Sequence, residues 1–353
     1  VVPGTLSGDV TWTRANSPYV LYGDLKIAPL GILRIDPGVV VKAGDYDAFR
    51  AGNPNRIDVL VEGAMVANAT GDQPIIFTSD RPTPAANDWS GLAFNGADAD
   101  LTKLSNVVVA YADKGISLTG TSPKFSGITM INCTAGMVAS NTSNLFLLQV
   151  NAKACDDGLL LSAVASLTVS ECTVFSCRRG VTANGNTDSS YLGNNFLKFQ
   201  DFGLKVNDLG GSIRVEDNLF VSGTGVGLYL IDLPVEVRYN TFDSAYGIRI
   251  DKGSPNMEKN ILVSRLSVTG KGIKGIEHLA GLTPKPIFGP NDVVDFPEGN
   301  DYLGCASASG SLSSYPFFMK EQAGAEYDYR LRQPFPDTND LWGIRRISEP
   351  KGL

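Results

Sequence analysis

Residues 201–251 read DFGLKVNDLGGSIRVEDNLFVSGTGVGLYLIDLPVEVRYNTFDSAYGIRID, and three tetrapeptides within them, GLKV at 203, GLYL at 227 and GIRI at 247, repeat one pattern. In each, a glycine is followed by an apolar residue, a variable one and another apolar one. Working back along the chain, GVTA at 180, GLLL at 158, GMVA at 136 and GISL at 115 continue it, at steps of 20 to 24 residues. The first residue after each glycine is Ile116, Met137, Leu159, Val181, Leu204, Leu228 or Ile248, and the third is Leu118, Ala139, Leu161, Ala183, Val206, Leu230 or Ile250. Alternation with a period of two describes a strand with one buried face.

A second strand sits inside each repeat. Ile213 and Val215 lead to Asn218, Val235 and Val237 to Asn240, Phe146 and Leu148 to Asn151, and Met257 to Asn260. Asn195 fits this column, with Cys133 and Cys172 taking its place in other repeats; Cys133 also lies three residues before Gly136, as Cys155 and Cys177 lie before Gly158 and Gly180. Asparagine suits a tight turn because it accepts left-handed backbone angles and bonds nearby peptide groups. Short strands at a period of about 22 residues, without helix and without a leucine-rich pattern, describe a parallel β-helix. In that fold a coil buries its apolar face only by stacking on its neighbours. The predicted class is all-β, with coils over residues 27–263, an N-terminal cap over 1–26 carrying Trp12 and Tyr19, and an irregular C-terminal capping region over 264–353. About ten coils at a spacing near 4.8 Å would form a rod on the order of 50 Å long. The segments 44–56 and 80–88 read as surface loops.

These stretches resemble a known family. SPYVLYGDLKIAPLGILRIDPGVVVKAG from residue 17, VLVEGAMVANATGDQPIIFTSD from 59, WSGLAFNG from 89 and LSNVVVAYADKGISLTGTSPKFSGITMINC from 104 are similar to the coils of bacterial secreted and surface proteins with right-handed parallel β-helix repeats. These share the pectate-lyase-like superfold. The resemblance spans about residues 8–343 and implies right-handed coiling. It also implies an extracellular or cell-surface location, in keeping with a chain that starts at Val1 without Met. It does not choose an activity, because β-helices carry lyases, hydrolases, epimerases, adhesins and structural proteins.

Composition narrows the function. The 353 residues hold 30 Lys and Arg against 37 Asp and Glu, a net charge of −7, which disfavours nucleic-acid partners. The apolar runs are too short to span a bilayer. The single histidine, His278, lies outside the repeats with no nucleophile motif beside it, and reads as structural. GTGVG at 223–227 lacks the spacing and the following helix of a dinucleotide fingerprint. The sequons at Asn68 and Asn141 carry little weight in a chain rich in Asn and Thr.

Three sets of residues bear chemistry. Five cysteines do not form a closed disulfide framework; the ladder reads as buried thiols, with Cys155–Cys177 the pair most able to bond across stacked coils. Asp156, Arg178 and Asp201, two residues before their glycines, read either as an ion-pair column or, with Lys205 and Arg249, as weak candidates for lyase catalysis. The outward residues Lys205, Tyr229 and Arg249, with Asn184, Asn207 and Asp251 two residues further along their strands, form a candidate glycan-contact surface. Val138 and Leu160, outward and apolar on earlier coils, suggest cover rather than a wet groove. The expected function is therefore an extracellular structural, adhesive or glycan-contacting β-helix. Its partner would be a polysaccharide, another cell-surface component or copies of itself, with no resident cofactor and no metal site. The alternative is a polysaccharide lyase or related enzyme on an acidic glycan, for which Ca²⁺ would be the expected cofactor.

Overall fold

The computed structural model describes residues 4–48, 55–231, 234–264, 272–279, 284–297 and 299–313, together with the strands Phe318–Lys320 and Asp328–Leu331, which pair antiparallel. Apart from two short 3-10 turns, Arg14–Asn16 and Ala97–Leu101, every regular element among the described residues is a strand. The described residues fall into two compact units. One holds those up to 167 together with 172–181, and the other holds 168–171 together with those from 182 onward.

In the first unit three columns of parallel strands stack coil on coil. One runs through Gly4–Leu6, Leu25–Ile27, Asp58–Val61, Gly91–Asn95, Lys114–Thr119, Ala135–Ser140 and Asp157–Ser162. A second runs through Asp9–Trp12, Ile32–Ile35, Ala64–Asn68, Lys103–Ser105, Lys124–Ser126 and Asn144–Leu148. The third includes Tyr19–Leu21, Val40–Ala43, Ile75–Ser79, Val107–Ala110, Thr129–Ile131, Asn151–Lys153 and Thr173–Phe175. The second unit repeats the plan. Phe202–Asn207, Leu219–Ile231, Thr241–Lys252, Lys274–His278 and Tyr302–Leu303 pair in succession, beside Asp188–Leu192, Ile213–Glu216, Glu236–Arg238, Asn256–Glu258 and Ile287–Phe288. Parallel pairing is thus present on both sides of residues 27–263. Near the N-terminus Trp12 is buried and stacks on the Tyr19 ring at 4.7 Å.

The inward positions follow the alternation. Leu159 and Val181 in the first unit, and Leu204, Leu228 and Ile248 in the second, are all fully buried. The second unit adds a file of stacked rings, Phe196 on Phe220 at 4.7 Å and Phe220 on Phe242 at 4.6 Å. The glycine column has a steric cause. A Cβ at Gly158 would stand 2.4 Å from the carbonyl oxygen of Gly180, and one at Gly136 2.5 Å from that of Gly158. Successive coils meet there too closely for any side chain.

The turn between the second and third columns holds the polar core of the second unit. Asn194, Asn218, Asn240, Asn260 and Asn291 form a ladder. Each of the first four donates its Nδ2 to the Oδ1 of the next at 2.9–3.0 Å, and its backbone N–H bonds the same oxygen. The remaining amide donors reach carbonyls, such as Val215 O and Arg238 O from Asn240. The expectation for this column needs three corrections. Asn194, and not Asn195, carries the rung, and Asn151 stands outside the column as the first residue of a strand. Cys133 belongs to another corner, in line with Cys155 and Cys177, because Ile131, Lys153 and Phe175 two residues before them are in register. Left-handed angles belong to the residues before Cys172, Asn194, Asn218, Asn240 and Asn260, namely Glu171, Gly193, Asp217, Tyr239 and Lys259, with φ of 55–64°. The ladder asparagines are therefore selected for their amides, not for their backbone. Cys172 does take the column's place in the first unit, its Sγ–H reaching Leu147 O at 3.6 Å.

One carboxyl in the first unit sets a pH dependence. Burial raises Asp24 from 3.8 to about 6, against the opposing bond from the Asp58 N–H at 2.8 Å and with the help of the Asp47 and Asp58 charges. The folded chain then holds this proton more tightly than the unfolded one. Its contribution to stability falls as pH rises from about 4 to about 6. Asp24→Asn, which keeps the acceptor for Asp58, should gain stability over the parent at pH 7 and not at pH 4. Thermal melts of both proteins at the two pH values check this; an equal difference at both would be the contrary result.

Candidate functional site

The candidate surface is built by register. Leu204, Leu228 and Ile248 point inward on paired strands, so the next residues, Lys205, Tyr229 and Arg249, fall in one outward column, continued on the following coil by Glu277. Cations from both neighbouring coils flank the Tyr229 ring. Lys205 Nζ lies 4.9 Å and Arg249 Cζ 5.0 Å from its centroid, within cation–π range. The Tyr229 hydroxyl donates to Asp251 Oδ2, and Arg249 Nε donates to Asp251 Oδ1 at 2.7 Å. Asn207 Nδ2 donates to Asn184 Oδ1 at 2.7 Å. All six glycan-contact candidates, Asn184, Lys205, Asn207, Tyr229, Arg249 and Asp251, therefore lie on one face of the second unit.

Electrostatics divide their roles. Burial, with the bond and charge of Asp251, pushes the Tyr229 phenol above its ordinary value, and bonding to Asp251 raises the Arg249 guanidinium. Arg249 is thus neutralised by Asp251. Among the described residues no carboxylate pairs with Lys205, which leaves it as the cation available to a ligand. Sequence reasoning missed the coil beyond. There Lys274 pairs with Glu277 and stands 5.4 Å from the Tyr246 ring centroid, while burial raises Glu277. The signal was present as Gly275-Ile276-Glu277-His278, another copy of the repeat tetrapeptide. A histidine in the second apolar place disguised it. His278 is buried, in register with Ile250.

The other candidates are placed differently. Asp156 and Arg178 lie in the first unit and bond each other, Arg178 Nε donating at 2.6 Å and Nη2 at 2.9 Å. This pair holds the Asp156 carboxyl below its usual range. Next to it Arg179 Nη2 donates to Asp157 at 2.6 Å, although burial outweighs the guanidinium and raises Asp157. Asp201 belongs to the second unit, where its carbonyl accepts the Val226 N–H at 2.9 Å. The Asp156–Arg178 pair is half-exposed and ties adjacent coils, a contact worth at most about 1 kcal/mol. Cys155 and Cys177 are buried thiols not joined in a disulfide, as are Cys133 and Cys172, and Cys305 is a half-buried thiol. Hydrogen bonding with Cys155, then burial, pushes the Cys133 and Cys177 thiols well up.

A Ca²⁺ ion takes about 6–8 oxygen ligands, several of them carboxylate. Among the described residues no three His, Cys, Asp or Glu side chains are placed to hold a metal ion. The acidic residues near the candidate set do not fit a Ca²⁺ site, since Asp156 is engaged by Arg178 and Asp251 by Arg249 and Tyr229. Val138 and Leu160, expected to be covered, are half-buried. No helix among the described residues is long and apolar enough to cross a membrane.

No curated protein sequence matches the chain. Among solved structures, the crystal structure of the periplasmic alginate epimerase AlgG is similar over 87% of this chain and 81% of that one, with a TM-score of 0.48 and 11% identity. Two family models match adjoining segments: the pectate-lyase-like β-helix domain over residues 4–115 and the right-handed β-helix region over residues 114–265. The chain therefore has the right-handed parallel β-helix fold, with residues 4–115 similar to the pectate-lyase-like β-helix domain.

Proposed function

We propose that the chain is an extracellular or cell-surface β-helix that contacts glycans through the outward face of its second unit, without turning them over. The observation that carries this reading is the Lys205–Tyr229–Arg249 column with the Asn184–Asn207 amide pair beside it. Side chains of these types offer hydrogen bonds to hydroxyls and one unpaired cation. Tyr229 and Arg249 are held in place by Asp251, so little side-chain freedom is lost when a ligand arrives. The same restraint argues against proton transfer, since a phenol raised above its ordinary value and bonded to a carboxylate is a poor base near neutral pH.

A second reading, a lyase or related enzyme on an acidic glycan, is favoured by one observation. Lys205 and Arg249, residue types that neutralise a carboxylate, each stand about 5 Å from the ring of Tyr229, a residue type that can move a proton. Two measurements on one panel of neutral and acidic oligosaccharides separate the readings. Calorimetry should show binding that Tyr229→Ala weakens about tenfold or more. Ultraviolet absorbance should show no growth of unsaturated ends, with or without Ca²⁺. Product that disappears in Lys205→Ala or Arg249→Ala would establish the enzyme instead, and binding unchanged in Tyr229→Ala would remove this face from the argument.

A further inference from the structure

A different surface, in the first unit, carries the strongest unexplained chemistry. Lys103 and Lys124 are direct cross-strand partners on adjacent coils, and both are exposed. Like charges directly opposite on neighbouring strands are destabilising. Elsewhere in this unit cations are matched to carboxylates, as in Lys26–Glu62, Arg34–Asp9, Lys42–Asp80 and Arg56–Asp113. Among the described residues neither Lys103 nor Lys124 has such a partner. Register then brings a third outlier alongside. Phe125 pairs with Leu147, so Phe146 follows Lys124 in the same outward column, and its ring is 57% exposed in the middle of a strand. Two residues further along these strands, Ser105 and Ser126 are partners and both half-buried, with Leu148 beyond Ser126.

We propose that this face binds a segment of acidic polysaccharide, with Lys103 and Lys124 on successive anionic groups, Phe146 under a sugar ring, and Ser105 and Ser126 on hydroxyls. It shares only its ligand class with the glycan-contact reading above, and uses other residues. Charge complementarity selects the occupant. A chain of net charge −7 repels polyanions everywhere except at local cations, and two lysines are too few for a duplex or an anionic bilayer, which require an extended basic field. They suffice for a chain with one charge per sugar. Coils stack about 4.8 Å apart, close to the advance of one sugar along an extended polymer, so successive ammonium groups can meet successive carboxylates or sulfates. The exposed ring suits the apolar face of a pyranose, and the hydroxyl pair its hydroxyl groups.

The test uses the full chain with defined-length oligogalacturonate and chondroitin sulfate, and with dextran, phosphatidylglycerol–phosphatidylcholine vesicles and a DNA duplex as alternatives, at two or more salt concentrations. The parent should bind one or both acidic oligosaccharides and not dextran. Lys103→Gln with Lys124→Gln should weaken binding about tenfold or more and lower the salt dependence by about two charges. Phe146→Ala should weaken binding at an unchanged salt slope. Acidic-oligosaccharide binding unchanged in the double lysine variant would overturn the assignment, as would retention on vesicles or DNA alone. Binding abolished by Tyr229→Ala but kept in the double variant would likewise overturn it while leaving the proposed function standing; glycan binding lost in the lysine variant alone would do the reverse.

Discussion

Leu204→Asp should abolish the folded state of the second unit or leave it barely populated. Leu204 is fully buried between Phe202 and Val206 on a strand that pairs with Leu219–Ile231, opposite the equally buried Leu228. The substitution replaces two buried methyl groups with oxygens and forfeits most of the roughly 1.5–3 kcal/mol that burying a leucine side chain contributes. It also strands a carboxylate among apolar side chains, a further several kcal/mol unless the group stays protonated. A total of about 5 kcal/mol or more is comparable with the whole stability of an ordinary domain. Urea unfolding followed by circular dichroism reads this directly. The outward neighbour supplies the contrast: Lys205→Ala should shift stability by about 0.5 kcal/mol or less. Equal melting of Leu204→Asp and the parent would reverse the assignment of inward and outward residues along the repeat.

The second large effect is expected at the middle of the amide ladder. In Asn240→Ala, the Oδ1 that accepts from Asn218 N and Nδ2 is lost, and so is the amide that donates to Val215 O, Arg238 O and Asn260 Oδ1. Asn240 is fully buried, so water cannot replace these partners without opening the turn. An unsatisfied buried group costs about 1–3 kcal/mol, and several are created at once, so a loss of about 4 kcal/mol is expected. Asn240→Asp separates acceptor from donor. It keeps the oxygen that serves Asn218 and removes the amide donor, so at neutral pH it should be no better than alanine and should recover in acid, where the carboxyl can donate. Denaturant titrations at pH 7 and pH 4 distinguish these outcomes.

The interior was readable because it depends on period alone. The glycine column and the flanking apolar pairs identify each strand, and a glycine is obligatory where Gly136 and Gly158 meet the next coil's carbonyl. The ladder was readable in kind but off by one at Asn195, because strand pattern marks where a turn lies and not which residue bends. The bend falls on positions as varied as Glu171, Asp217, Tyr239 and Lys259, which share no chemistry. The coil through Lys274–His278 was hidden because its spacing from Gly247 is longer and a histidine holds an apolar place. On the surface, position in the repeat put Lys205, Tyr229 and Arg249 in one column but gave no account of their contacts. That Asp251 engages both Tyr229 and Arg249, and leaves Lys205 alone, follows from side-chain reach rather than from position in the repeat. Lys103 and Lys124 escaped notice because their strands lack the glycine that marks the others.

In the amide ladder every side-chain-to-side-chain bond points the same way. From Asn194 to Asn260 each side chain donates to the next, and the backbone N–H of Asn291 ends the series on the Ser311 hydroxyl. Bond dipoles laid head to tail polarise one another, so an interior rung is strengthened from both sides and a terminal rung from one. The array behaves as a single conductor of polarisation rather than as separate contacts. Cutting it at Asn240 leaves two short segments, each weaker per bond than the whole, whereas trimming it at Asn194 shortens it by one. Paired replacements within it should therefore be less than additive, because the first cut has already removed the reinforcement that the second would take away.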